Sequence, residues 1–209
     1  MNEINVFTIF LVLTCVTSIF AFNNPEWIYK GSYSPYRIAR DKEYYRFVSH
    51  SLLHADWMHL LINMFVLWSF SGYISYMYKT FLGDTYWLYL LGLYVGGHIA
   101  GVLPSYKKQL ANPSYNSIGA SAGVTSVLFA YVLFAPFNQI LLYLIPVPAL
   151  LYAVLYSVYS YFMSKKQYDN TNHEAHLYGG IWGIVYTSVI IHDAPLNFIN
   201  QVKFHLGAF

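Results

Sequence analysis

Six apolar runs dominate this chain, at residues 4–22, 58–78, 85–104, 118–135, 140–163 and 175–191. About 20 mostly apolar residues are needed to cross the hydrocarbon core of a bilayer. Each run therefore predicts a membrane-spanning helix, with boundaries good to a few residues. The turns Gly83-Asp84 and Pro136-Phe137-Asn138 are short. Loops 106–117 and 164–173 are of medium length and fall on the opposite side. The expected fold is an all-α membrane protein, a single six-helix bundle forming one domain over residues 1–209. Composition agrees: 57% of the 209 residues are hydrophobic and 10% charged, against about 25% charged in ordinary soluble domains. Aromatics reach 20%, with 22 tyrosines, and Tyr and Trp favour the membrane–water interface.

A formal net charge of +2 is too small to point to nucleic acid. The single cysteine, Cys15, rules out an intramolecular disulfide and a thiolate zinc cluster, and reads as a packed, inert thiol. The Met1-Asn2-Glu3 head has no Lys or Arg, which a signal peptide normally carries, so run 4–22 is expected to be a retained span. Residues 23–50 hold five of the eleven basic residues, with Trp27 and five tyrosines, which predicts a structured loop lying on the membrane. Pro146 and Pro148 interrupt the fifth run. Proline removes a helix hydrogen bond, so a kink is expected there, or a helix able to tilt and admit something from the lipid.

Polar residues inside the runs carry the chemistry. Ser121 stands in Ile118-Gly119-Ala120-Ser121-Ala122-Gly123, His176 in Ala175-His176-Leu177-Tyr178-Gly179-Gly180-Ile181-Trp182-Gly183, and His59 and Asn63 one turn apart in His59-Leu60-Leu61-Ile62-Asn63. Alternating spans put the starts of runs two, four and six on the same membrane face, so these four residues share a depth. Intramembrane ionisable residues are costly and functional by default. A serine, a histidine and two further donors are the parts of an acyl-transfer site. Gly119 with Gly123, and Gly179 with Gly183, read as small-residue pairs that let helix backbones approach, which a Ser121–His176 contact also requires. His59 and Asn63, at i and i+4, share a helix face. No carboxylate lies in the runs to orient His176, so a dyad is expected and not a triad. His98 reads as a packed, hydrogen-bonded histidine without chemistry. His50, His54, His59, His173 and His176 leave a metal-dependent hydrolase as an alternative, although HExxH is absent.

These residues, together with Glu43-Tyr44-Tyr45-Arg46-Phe47, His50 and His54, resemble the rhomboid intramembrane serine proteases over nearly the whole chain. The resemblance implies a six-helix bundle that cleaves transmembrane segments of membrane-anchored protein substrates within the lipid bilayer, without a cofactor. Ser121 would be the nucleophile and His176 the general base, with Asn63, His59 and the Ser121 N–H holding the oxyanion. It further implies Arg46 as the characteristic arginine of a membrane-lying first loop, span five as a lateral gate and loop 164–173 as a cap. Three positions depart from the pattern. Ala122 replaces a glycine, Tyr45 a tryptophan, and Thr125 an aromatic that packs on the histidine ring, a place that Tyr178 or Trp182 could take. A non-proteolytic rhomboid-like protein that binds membrane clients is the alternative of a different class. Lys and Arg are concentrated on the side of loops one, three and five. Positive-inside bias would put that side in the cytoplasm, whereas the resemblance puts the site on the extracytoplasmic side, in a bacterial cytoplasmic membrane.

Overall fold

The computed structural model describes residues 5–142, 145–166 and 171–207. Outside these lie the 1–3 head, the start of the first run, residues 143–144 of the fifth, and residues 167–170 of the expected cap loop. Helix α1 (Val6–Phe22) is capped by Asn5, whose side chain accepts from the Phe7 N–H and donates to Ser75 Oγ. The first loop is structured, as expected: α2 (Pro25–Gly31), α3 (Pro35–Asp41), α4 (Arg46–Ser49) and a 3₁₀ turn (His50–Leu52). Proline opens both α2 and α3, where its missing N–H costs nothing. Arg46 fastens the loop from inside. Its guanidinium is 1% exposed, pairs with Glu43 at 2.6 Å and donates to the carbonyls of Tyr29 and Ser32.

Asp56 caps α5 (Trp57–Leu82) by accepting from the His59 N–H. Gly83, at φ 63°, ends it, and a 3₁₀ turn (Gly83–Thr85) leads into α6 (Tyr86–Gln109). The stretch Trp57–Gln109 is long and apolar enough to cross a membrane by length and composition, while α1 and α7 (Ser121–Phe134) are shorter apolar helices. The remaining helices are α8 (Ala149–Lys166), α9 (His173–Ile190) and α10 (Asp193–His205). Helix α7 is the axis of the fold: every residue from Ala122 to Phe134 is buried, with α5, α6 and α9 packed around it.

The fifth run departs from expectation. Its first residues form an antiparallel hairpin, β1 (Gln139–Leu142) with β2 (Ile145–Pro148), and the helix starts only at Ala149. Pro146 and Pro148 therefore lie in a strand and kink no helix. They oppose Leu141 and Gln139, two apart and so on one phase of the ladder, leaving Ile145 and Val147 on the phase able to donate. The fourth run also shortens, since α7 begins at Ser121 rather than at residue 118.

Helix contacts at the centre are made through glycine. A Cβ on Gly179 or Gly183 of α9 would run into the α7 backbone at Ala122 and Ser126. The same argument applies to α6, where a Cβ on Gly97 would meet Ser126 and one on Gly101 would meet Ala122 and the Ala175 carbonyl. Gly179 and Gly183 thus form the expected close-packing pair. Gly119 and Gly123 do not form one, because Gly119 precedes the helix and adopts φ 127°.

Candidate active site

A cavity of about 890 Å³ opens where α5, α7 and α9 begin, and Ser121, His176, His59 and Asn63 all line it. Each arrives there by a local rule. His59 and Asn63 sit in the first turns of α5, set by the Asp56 cap. Ser121 is the first residue of α7, reached through the left-handed Gly119. His176 lies in the first turn of α9, whose Asn172 cap accepts from the Ala175 N–H and donates to Tyr115 Oη. The four residues meet because α5, α7 and α9 all begin at this cavity. A short bridge secures that side: Tyr33 and Ser117 exchange backbone hydrogen bonds at 2.9 and 3.1 Å, and Tyr33 Oη donates to the Val102 carbonyl. The first loop is thus tied to the segment leading into Ser121.

The first N–H groups of a helix have no partner within it. At the head of α7 three neighbouring groups are taken: Gly119 N–H by the His50 carbonyl, Ala120 N–H by His54 Nε2 and Gly123 N–H by His98 Nδ1. The Ser121 and Ala122 N–H groups have no acceptor among the described residues. Beside them stands His59, whose ring lies where a Cβ on Gly119 would come within 2.8 Å of it. Asn63 is 6% exposed and lines the cavity. One of its two amide hydrogens goes to the His59 carbonyl at 2.9 Å, so the other is left for a further acceptor.

His176 has a partner that sequence reasoning missed. Tyr156 Oη of α8 lies 2.9 Å from His176 Nδ1, and the rings are nearly parallel, 18° apart, with centroids at 6.0 Å. Tyr156 in turn stacks on Tyr152. The two aromatics considered for this role are elsewhere: Trp182 donates to the Gly92 carbonyl and stacks on Tyr186, and Tyr178 is exposed. Thr125 lines the cavity and donates its hydroxyl to the Ser121 carbonyl at 2.7 Å.

His50, His54 and His98 are structural in placement. His54 has both ring nitrogens engaged, Nδ1 with Ser18 Oγ and Nε2 with the Ala120 N–H. Burial pushes its ionisation down to about 3 and that of His50 to about 4. Among the described residues no group of three or more His, Cys, Asp or Glu side chains is placed to hold a metal ion. His98, expected as a packed residue, is 1% exposed and hydrogen-bonded to the first turn of α7.

Comparison with known proteins agrees with this architecture. The Rhomboid domain family matches residues 41–193. The chain is 30% identical over 146 residues to Presenilin-associated rhomboid-like protein A, mitochondrial, of Danio rerio, covering 66% of this chain and 36% of that protein. It is 30% identical over 147 residues to Rhomboid protein 1, mitochondrial, of Saccharomyces cerevisiae, covering 66% of this chain and 40% of that one. The chain thus spans less than half the length of these relatives.

Proposed function

The chain belongs to the rhomboid family, a family of membrane-integral proteins, and from that premise we propose that it is an intramembrane serine endopeptidase. The observation that supports this most is the shared cavity, where Ser121, His176, His59 and Asn63 meet beside two backbone N–H groups that have no acceptor among the described residues. In this reading α1, α5, α6, α7, α8 and α9 cross the bilayer. The large apolar side chains they expose, such as Val16, Phe65, Trp68, Val158 and Val185, face lipid.

Ser121 Oγ attacks the scissile carbonyl while His176 Nε2 takes its proton. Nδ1 then carries the other proton and donates to Tyr156 Oη, which fixes the tautomer and supplies the orienting partner that a carboxylate gives in a triad. Charge developing on the carbonyl oxygen is met by the Ser121 N–H, the free Asn63 amide hydrogen and His59. His176 returns the proton to the leaving amine, and water hydrolyses the acyl-enzyme with the same base. The substrate is a transmembrane segment of a membrane-anchored protein. A helix hides its backbone, so segments unwound by Gly or Pro near the cut are favoured. Helix α8, held by few buried residues, is the side from which such a segment enters.

Both relatives carry mitochondrial names, so the expected bacterial cytoplasmic membrane has no support from them. A client-binding protein without protease activity is the second reading, and Thr125 in place of the family's aromatic is the observation that favours it. Labelling by a fluorophosphonate and cleavage of a model transmembrane substrate decide between the two. Both should be lost in Ser121→Ala, with the protein still folded. Cleavage that survives in Ser121→Ala, or wild-type protein inert to both probes, defeats the serine mechanism.

A further inference from the structure

We infer that His98 is a positioning residue for the nucleophile, whose imidazole Nδ1 caps the first turn of α7 from a neighbouring helix and so sets where Ser121 presents its hydroxyl. The inference rests on the reading of Ser121 as nucleophile and adds a residue that the acyl-transfer chemistry does not itself require.

The reason lies in how α7 starts. Helices usually satisfy their first N–H groups with a Ser, Thr, Asp or Asn at the cap. The cap position here is Ala120, which has no such side chain. The acceptors come from outside the helix: the His50 carbonyl, His54 Nε2 and His98 Nδ1 take the N–H groups of residues 119, 120 and 123. Together they bracket Ser121, which stands between the second and third, and leave only its own N–H and that of Ala122 for a substrate oxygen. His98, on α6, reaches the turn from behind.

Two further observations fit His98 to this task. A Cβ on Gly123 would collide with the His98 ring, so the glycine and the imidazole are matched in shape. The ring is also fixed from other sides, with Tyr94 edge-on at 4.6 Å and His50 edge-on at 6.0 Å. An amide N–H can only donate, so Nδ1 must be the acceptor and the ring neutral, with its proton on Nε2. A histidine that merely filled space would need neither this tautomer nor the aligned bond.

The test uses the full chain in detergent micelles with three substitutions. His98→Phe keeps a ring and removes the acceptor. His98→Asn places an amide oxygen where Nδ1 stands. His98→Gln carries its oxygen one atom further, past the Gly123 N–H. Misplacing a reacting group by about 1 Å costs on the order of 10²-fold, and a loss of that size is expected in both kcat and fluorophosphonate labelling rate for His98→Phe and His98→Gln, with KM unchanged. His98→Asn should recover most of the loss. Gly123 amide exchange should quicken in His98→Phe and His98→Gln and stay slow in His98→Asn. Wild-type labelling in His98→Phe, or equal behaviour of His98→Asn and His98→Gln, overturns the inference. If His98→Phe does not fold, the Asn–Gln comparison decides alone. Wild-type protein that never labels would count against Ser121 as nucleophile, whereas Gly123 exchange still tests the His98 bond without any activity.

Discussion

Helices α8 and α9 both flank α7, and they are built on opposite plans. Helix α9 turns Ala175, Gly179, Gly180 and Gly183 inward and meets the α7 backbone directly. Helix α8 buries only Ala149, Ala153 and Ser160, and exposes Leu151, Val154, Leu155, Val158 and Phe162. Without water to drive apolar groups together in a bilayer, close association comes from small residues that let backbones touch. Helix α9 therefore meets α7 backbone to backbone, while α8 is held through few buried side chains. Yet α8 provides Tyr156, the Nδ1 partner of His176. If α8 admits substrate, as proposed, the same helix would link arrival of substrate to the orientation of His176 through Tyr156.

The largest effect that could break this contrast is at the seam. Gly179→Val sets branched carbons against the Ala122 backbone, and neither helix can yield without moving Ser121 or His176. Loss of the folded protein, or of all cleavage by the protein that survives, is the expected outcome in a thermal-melt and cleavage assay. A stable, active Gly179→Val would mean that the seam is not rigid. Next in size is a matched pair. Leu128→Ala removes a side chain 4% exposed on α7, and Leu155→Ala one 53% exposed on α8. Truncating a buried Leu costs about 2–5 kcal/mol, so Leu128→Ala should lower the unfolding free energy by about 2 kcal/mol or more. Leu155→Ala should fall within about 0.5 kcal/mol of the parent. Equal losses would erase the distinction between the two helices.

Most of this contrast was legible in the sequence, though not all of it. The Gly179–Gly183 pair and the meeting of Ser121, His176, His59 and Asn63 at one cavity depend on local spacing, which a sequence displays. The hairpin at residues 139–148 was hidden because its apolar residues continue straight into α8, and length alone did not separate strand from helix. Gly119 looked like the partner of Gly123, since spacing does not reveal that φ 127° puts it before the helix. The glycines of α6 went unread because their partners, Ser126, Trp182 and Tyr186, lie on distant helices. Tyr156 was missed for the same reason: nothing in the run 149–166 tells that it reaches His176.

A graded effect, smaller near neutral pH, belongs to the ground beneath the seam. His50 and His54 hold the start of α7 through a carbonyl and a ring nitrogen, and burial pushes their ionisations down to about 4 and about 3. Both are lowered from the unfolded value of about 6.5. The unfolded chain therefore binds protons first, and stability present above about pH 6.5 is lost as pH falls toward about 4. Melts from pH 8 to pH 4 should show this decline, and His50→Phe, which leaves its backbone carbonyl in place, should flatten it. An unchanged slope in His50→Phe would exclude this ring as a source of the acid sensitivity. The decline should be the same with or without substitutions on the outer face of α8, since that helix contributes neither group.

The smallest expected effect is the most informative about α8. Tyr156→Phe removes one hydroxyl and keeps the ring that lies parallel to His176. The Tyr156–His176 bond is neutral and partly buried, and a bond of this kind contributes about 0.5–1.5 kcal/mol, so kcat should fall by roughly tenfold at most. Where the loss appears matters more than its size. If Tyr156 orients the base, kcat falls, KM holds, and fluorophosphonate labelling slows in the same proportion, because that small probe also needs His176 to take the Ser121 proton. If α8 serves only to admit substrate, labelling is unchanged and KM for the transmembrane substrate moves instead. A control on the neighbouring ring, Tyr152→Phe, should leave labelling alone, since Tyr152 stacks on Tyr156 through its ring. A labelling loss in Tyr156→Phe that Tyr152→Phe does not share would tie α8 to the chemistry at the α7–α9 seam. Equal labelling across wild type and both variants would separate them again, leaving His176 oriented from within α9.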